Sequence, residues 1–437
     1  MNIVIVFFVL LSFTLIGYSV ILLCRFIKDS NLILKLSVGY ALGIGLTSLE
    51  LFIYSRIGIK WNFLSLYSPW TIFLPIVLYL KKRELMKDMH FVIKLNLFEK
   101  IFTTLSAVLL FFTAYESVIR PLSAWDGFAI WLVKSKMFFI DGFVNPNIYF
   151  VLRDSYPYIV NLSGTFIYEV LGKVDDTAVL LLFYGFYLFL FLIFFSALKD
   201  EVGAKKSLVF SFLLISTQNI IRHGGRFEAG YVDLALGFYI FVSYHLLKLY
   251  LRHEKLNNLI VLQLILGVTA LIKVEGLAFC LIVNAILLYK LLLKQKKIKE
   301  SFMAFLWVVP VLDWQIFKTQ NHINFTLYEN PHLNLYRIPA ILVEMSREFI
   351  NIQNWNLLWI VFFLSLIYVF IRKQSKSILL LLIISQVVVY FLVFIISPNE
   401  PNIHVRGVFN RLLLHVAPLA VYFIAISFTN PLKKHEK

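Results

Sequence analysis

The 437-residue sequence predicts an all-α, polytopic integral membrane protein of about thirteen membrane-crossing helices, and three observations carry that prediction. Hydrophobic residues make up 60% of the chain and charged residues only 15%, where a soluble domain carries about 25% charged residues. Continuous apolar runs of roughly 20 residues recur along the whole length, which is the span a helix needs to cross a bilayer. The runs do not alternate polar and apolar as barrel strands do. In lipid only helices and closed barrels satisfy their backbone groups, so helices are expected.

In chain order the expected spans are about 3–25, 36–55, 64–80, 101–119, 177–198, 207–221, 229–247, 258–272, 275–293, 302–317, 355–371, 377–396 and 411–429. The first run lacks a basic leader and a small-x-small cleavage site, so it is expected to stay as a span rather than be removed as a signal peptide. The whole chain, 1–437, reads as a single polytopic domain. Residues 1–115 are amino-terminal spans, 116–176 form a first large outer loop, and 318–354 form a second. Both loops mix aromatic residues with a few charges, which predicts amphipathic helices lying along the outer face.

The net charge of +16 does not point to nucleic acid, because Lys and Arg are scattered in short clusters between apolar runs. Well over half of the 41 Lys and Arg fall in one of the two alternating sets of loops, the imbalance that marks cytoplasmic loops. That orientation puts the amino terminus outside and the basic carboxy-terminal tail inside. Cys24 and Cys280 both lie in apolar runs with no disulfide or metal spacing.

The polar residues that bear on chemistry come from the outer loops and outer span ends. Trp125-Asp126 opens the first loop, followed by Lys134, Lys136 and Arg153-Asp154-Ser155-Tyr156-Pro157. Later come Tyr231 and Asp233 at the start of a span, Lys273-Val274-Glu275-Gly276 between two spans, and Arg406, Arg411 and His415 near the last. All fall on one side of the membrane. Charges near a span normally face a cavity or bundle interior and find partners. A carboxylate gathered with several cations beside lipid fits a phosphate-bearing lipid.

Four of these stretches resemble the GT-C superfamily of membrane glycosyltransferases, in particular members similar to protein O-mannosyltransferases and lipid A aminoarabinose transferases. They are Asp126 through Lys136 to Gly142, Tyr156-Pro157 through Leu171-Gly172, Tyr231-Val232-Asp233, and Lys273-Val274-Glu275-Gly276. Together they cover roughly residues 100–290, with support from Arg411-Leu412-Leu413-Leu414-His415. Two features depart from the family. The large loop follows the fourth span rather than the first, and Trp125-Asp126 stands where many relatives have an Asp-Glu pair.

The resemblance implies transfer of a sugar from a polyprenyl-phosphate-linked donor to a saccharide, lipid or protein acceptor, at the outer face of a bacterial cytoplasmic membrane. Asp126 is then the candidate general base. Trp125, Lys134, Lys136, Arg153, Asp154, Tyr156, Tyr231, Asp233, Lys273, Glu275, Arg406 and Arg411 are candidate substrate-binding residues. Membrane lipids are expected neighbours. No cofactor is demanded; the departure from the Asp-Glu pair leaves a divalent metal open, and no His spacing marks a zinc site.

Each residue also has a plainer reading. Asp126 can cap a surface helix, and Asp154-Ser155-Tyr156-Pro157 can be a turn into a helix with Pro at its first position. Lys134 and Lys136 can snorkel to headgroups. Lys273 can simply pair with Glu275, and Arg411 can anchor the last span at the interface. A transporter or flippase for lipid-linked saccharide, or a polysaccharide polymerase or ligase, is the competing function. The absence of internal repeats and the one-sided charges favour the enzyme over the transporter.

Overall fold

The computed structural model describes residues 2–28, 30–89, 95–152, 154–294, 297–324, 332–372 and 377–428. Among them the chain is helical, and the one β-type contact is an isolated bridge between Ala229 and Tyr231. Ten helices are long and apolar enough to cross a membrane: Asn2–Leu23, Leu32–Ile57, Phe63–Leu80, Leu97–Ile119, Ala178–Val202, Asp233–His253, Val274–Leu293, Ile298–Gln320, Ile378–Ile396 and Pro401–Ser427. Each matches an expected span. The other three expected spans form shorter helices. Residues 207–221 split into Ala204–Ile215 (12 residues) and Gln218–Gly225 (8 residues) at Ser216-Thr217. Residues 258–272 fall in Leu256–Ala270 (15 residues), and 355–371 in Leu358–Ile371 (14 residues).

Helix limits follow from local chemistry. Asn31 caps the Leu32 helix by accepting from the Leu34 amide, and Asn62 and Asn96 form capping boxes with Ser65 and Glu99. Between the Leu97–Ile119 and Ala178–Val202 helices, Leu132–Asp141 and Ile159–Leu171 stop at Gly142 and Gly172, whose φ of 74° and 67° suits glycine. Both stops agree with the expected Gly142 and Leu171-Gly172 closures.

The Asp233–His253 and Pro401–Ser427 helices are buried along most of their length and sit at the centre, packed against one another. Phe63–Leu80 and Leu97–Ile119 lie at the periphery and expose apolar side chains such as Tyr79, Leu80 and Phe111. In water such a surface would be unfavourable; against acyl chains it costs nothing. The segment expected as the second outer loop carries Ile338–Phe349, which buries Ile341 and Met345 and exposes Leu342 and Val343, as a helix lying in an interface would.

Candidate functional site

The site is built where the Asp233–His253 helix begins, against the middle of the Pro401–Ser427 helix. Asp233 is the first residue of its helix, and Arg411 and His415, four residues apart, project from one face of the Pro401–Ser427 helix. Arg411 Nε donates to Asp233 Oδ2 at 2.9 Å, and His415 Nε2 lies 3.1 Å from Asp233 Oδ1. Lys273 enters from the turn between Leu256–Ala270 and Val274–Leu288, and its Nζ donates to Asp233 Oδ1 at 2.8 Å. The same ammonium stands 3.1 Å from Glu275 Oε1, so the pairing that the sequence left open is present. Gly276 allows this turn to close: a Cβ there would sit 2.2 Å from the Thr269 carbonyl oxygen.

Asp126 reaches the same cluster from the connection that follows the Leu97–Ile119 helix. Arg411 Nη2 donates to Asp126 Oδ2 at 2.5 Å, while its guanidinium carbon stands 4.0 Å from the Tyr231 ring centroid. The approach depends on Gly127 packing against Gly230, where a Cβ on Gly127 would come within 3.1 Å of the Gly230 Cα. Gly230 itself has a φ of 114°. Asp126 has right-handed backbone angles and makes no capping hydrogen bond, so its side chain serves the cluster and not a helix end.

Asp233 is wholly buried, and Lys273 is nearly so, whereas Arg411, Asp126 and Glu275 keep 15%, 18% and 22% of their side chains exposed. The cluster therefore has a sealed floor and a partly open rim. Burial alone would push the Lys273 ammonium down. The Asp233 and Glu275 carboxylates outweigh it and hold Lys273 above the usual lysine value. Glu275 Oε2 is buried without a hydrogen-bond partner among the described residues.

A second ion pair lies beside the cluster. Lys134 Nζ donates to Asp154 Oδ1 at 2.7 Å, and the Trp131, Tyr149 and Tyr156 rings surround the ammonium at 5.2–5.8 Å. Lys134 is fully buried, which rules out its plainer reading as a lysine that snorkels towards headgroups. Its burial lowers its pKa, with Asp154 opposing the shift. Asp154 also accepts from the Tyr156 amide at 3.1 Å, the turn foreseen from the sequence, although the helix begins at Ile159, after Pro157. Tyr156 lies between the two groups. Burial raises its pKa, and the charges of Lys273, Glu275, Asp126 and Asp154 all act on it.

Other expected residues stand apart. Lys136 donates to Asp176 at 2.6 Å. Arg406 is exposed on the final helix, and Trp125 is 64% exposed, stacked edgewise on Phe128 at 5.0 Å. Arg153 lies outside the described residues. The site-residue expectations also omitted three groups. His415 is one; Tyr390, whose hydroxyl meets His415 Nδ1 at 2.7 Å, and Gln386, which donates to Tyr390 at 3.0 Å, are the others. The four-residue spacing of Arg411 and His415, repeated by Gln386 and Tyr390 within an apolar run, was the available signal.

Asp126, Asp233 and Glu275 share two cations, Arg411 and Lys273. Among the described residues no group of three or more His, Cys, Asp or Glu is arranged to hold a metal ion. An apolar groove of about 430 Å³ runs close by, its wall including Tyr158, Ile159, Gln263 and Asp313.

Chemically, the cluster offers two cations and two partly exposed carboxylates around the start of one buried helix and the middle of another, next to surfaces suited to lipid. No family model matches the chain, and no curated protein or solved structure matches it either.

Proposed function

We propose that this chain is a glycosyltransferase of the GT-C type with about thirteen crossings. In this reading it moves a sugar from a polyprenyl-phosphate-linked donor to a saccharide, lipid or protein acceptor at the extracytoplasmic face of a bacterial cytoplasmic membrane. The observation that carries the reading is the convergence of Asp126, Asp233, Lys273, Glu275 and Arg411, drawn from four separate stretches, into one partly open network.

The chemistry runs as a single displacement. The acceptor hydroxyl oxygen attacks the anomeric carbon as the bond from that carbon to the phosphate oxygen breaks, with inversion. The hydroxyl proton passes to Asp126, and the electron pair leaves with the lipid phosphate. Arg411 and Lys273 stabilise the charge that develops there, where it is greatest in the transition state. Arg411 starts out bonded to Asp126. A donor phosphate takes the guanidinium from the carboxylate, and that exchange releases Asp126 to act as base. Binding of donor and readiness of the base are thereby linked.

The test uses purified protein in detergent with a polyprenyl-phosphate sugar and follows release of the lipid phosphate. Replacing Asp126→Asn is expected to cut turnover by about 10²–10⁴-fold without lowering the melting temperature. Undiminished turnover in that variant removes Asp126 as the base. Detergent micelles contain no compartments, so a transporter or flippase leaves the donor intact. A wild-type protein that consumes no such donor overturns the enzymatic reading.

A further inference from the structure

Behind Asp233 the network continues through the bundle to Gln386. His415 Nε2 lies 3.1 Å from Asp233 Oδ1, and His415 Nδ1 lies 2.7 Å from the Tyr390 hydroxyl. The Gln386 amide nitrogen donates to that hydroxyl at 3.0 Å and to the Glu275 backbone carbonyl at 3.1 Å. Lys273 bonds both Asp233 and Glu275, so the contacts close into a ring. Asp233, His415, Tyr390 and Gln386 are all sealed from solvent. Gly237, one turn past Asp233, lets the two central helices meet here: a Cβ there would sit 2.6 Å from the Leu414 carbonyl oxygen.

The available hydrogens fix the direction of each bond. The Glu275 carbonyl can only accept, so the Gln386 nitrogen, and not its oxygen, must face it. That nitrogen has two hydrogens, and Glu275 and Tyr390 take them. The Tyr390 hydroxyl accepts from Gln386 and gives its own hydrogen to His415 Nδ1. Nδ1 is therefore bare, and the ring hydrogen sits on Nε2, aimed at Asp233. An imidazolium would carry a hydrogen on Nδ1 as well. The Tyr390 hydrogen would then have no acceptor among the described residues, which is costly in a sealed interior.

The chain ends on a backbone carbonyl, which takes up no proton, so it is not an exit for the proton that Asp126 receives. Its effect is to fix Asp233. We infer that Gln386 and Tyr390 hold His415 as a neutral donor that pins Asp233 Oδ1, making His415 a positioning residue for Arg411 and Lys273. A neutral ring adds a hydrogen bond without adding a third cation to the carboxylate. The consequence for turnover rests on the sugar-transfer reading: Asp233 stays fixed while Arg411 exchanges Asp126 for the donor phosphate.

Solid-state nitrogen NMR on protein labelled at its nine histidines reads the ring directly, with the His415→Gln variant identifying the His415 signals. A neutral ring protonated on Nε2 is expected in the wild type. Tyr390→Phe is expected to move the Nδ1 signal, which loses its hydrogen bond. With a polyprenyl-phosphate sugar, His415→Leu is expected to lower kcat per folded molecule about tenfold or more. His415→Gln, whose amide donates to Asp233 but takes up no charge, is expected to recover most of that loss. An imidazolium in the wild type, an Nδ1 signal unmoved in Tyr390→Phe, wild-type turnover in His415→Leu, or equal losses in the two His415 variants overturns the inference. If the wild type consumes no such donor, the sugar-transfer reading falls, and the NMR spectra still decide the state of His415.

Discussion

Asp126 and Arg411 lie 285 residues apart in sequence and share a hydrogen bond of 2.5 Å. The same guanidinium holds Asp233 through Nε at 2.9 Å, so one arginine ties the Asp126 loop to the floor of the site. The planar fork lets separate guanidinium nitrogens reach the two carboxylates at fixed angles, where the Lys273 ammonium meets its two from a single nitrogen.

Arg411→Lys keeps the charge and loses the fork. An ammonium cannot span both carboxylates with the same geometry, so the phosphate hold weakens. Steady-state kinetics with a polyprenyl-phosphate sugar are expected to show a donor KM raised about tenfold or more. Unchanged kinetics would separate Arg411 from donor binding.

Asp233 is the keystone of the cluster, because Arg411, Lys273 and His415 all lean on its buried carboxylate. Asp233→Asn leaves two cations without full compensation, and breaking a buried pair from one side costs about 3–5 kcal/mol. The melting temperature in detergent is expected to drop well below that of Glu275→Gln, whose carboxylate is partly exposed. Equal melting of the two variants would refute this ranking.

Lys134 and Asp154 form a sealed pair, with side chains 0% and 9% exposed. Lys134→Met alone strands the carboxylate and is expected to destabilise by about 3–5 kcal/mol. Adding Asp154→Leu removes the stranded charge and is expected to recover most of that loss. A double-mutant cycle on thermal stability measures it, and additive losses would contradict a coupled pair.

Glu169 supplies a pH test outside the membrane-crossing helices. Burial pushes its carboxyl up from 4.5 to about 7, with Lys60 opposing. The folded chain therefore keeps this proton to higher pH than the unfolded chain. The stability it contributes is present below about pH 4.5 and is lost as pH rises towards 7. Glu169→Gln, which cannot ionise, is expected to match the wild type near pH 5 and to melt higher at pH 8. The carboxyl is only half-buried, so solvent screening holds the gain to about 1 kcal/mol. A constant difference between the variants across this pH range would rule out the linkage.

Much of the helix layout was readable from hydropathy because crossing a bilayer is a local demand, set by the composition of about 20 consecutive residues. Where a run held Ser216-Thr217, or was only 14 or 15 residues long, the apolar pattern alone did not distinguish a full crossing from a short packed helix. In the site, Asp126, Asp233, Lys273, Glu275 and Arg411 share an expected face in the sequence, and they meet in the fold. Lys136 and Arg406 satisfy the same rule and do not join them. His415, Tyr390 and Gln386 belong to the network, although the reading of candidate site residues left them out.

The sequence by itself determined that this chain is an all-helical membrane protein whose charges gather at span ends, because burial in lipid penalises every unpaired polar group along the chain. Only the tertiary structure decided which charges became partners. Sidedness narrows the choice to a set, but a 2.5–3 Å contact depends on how two central helices rotate about their axes. It also depends on how closely the Gly127–Gly230 and Gly276 contacts let the loops approach, and those are properties of packing between distant segments.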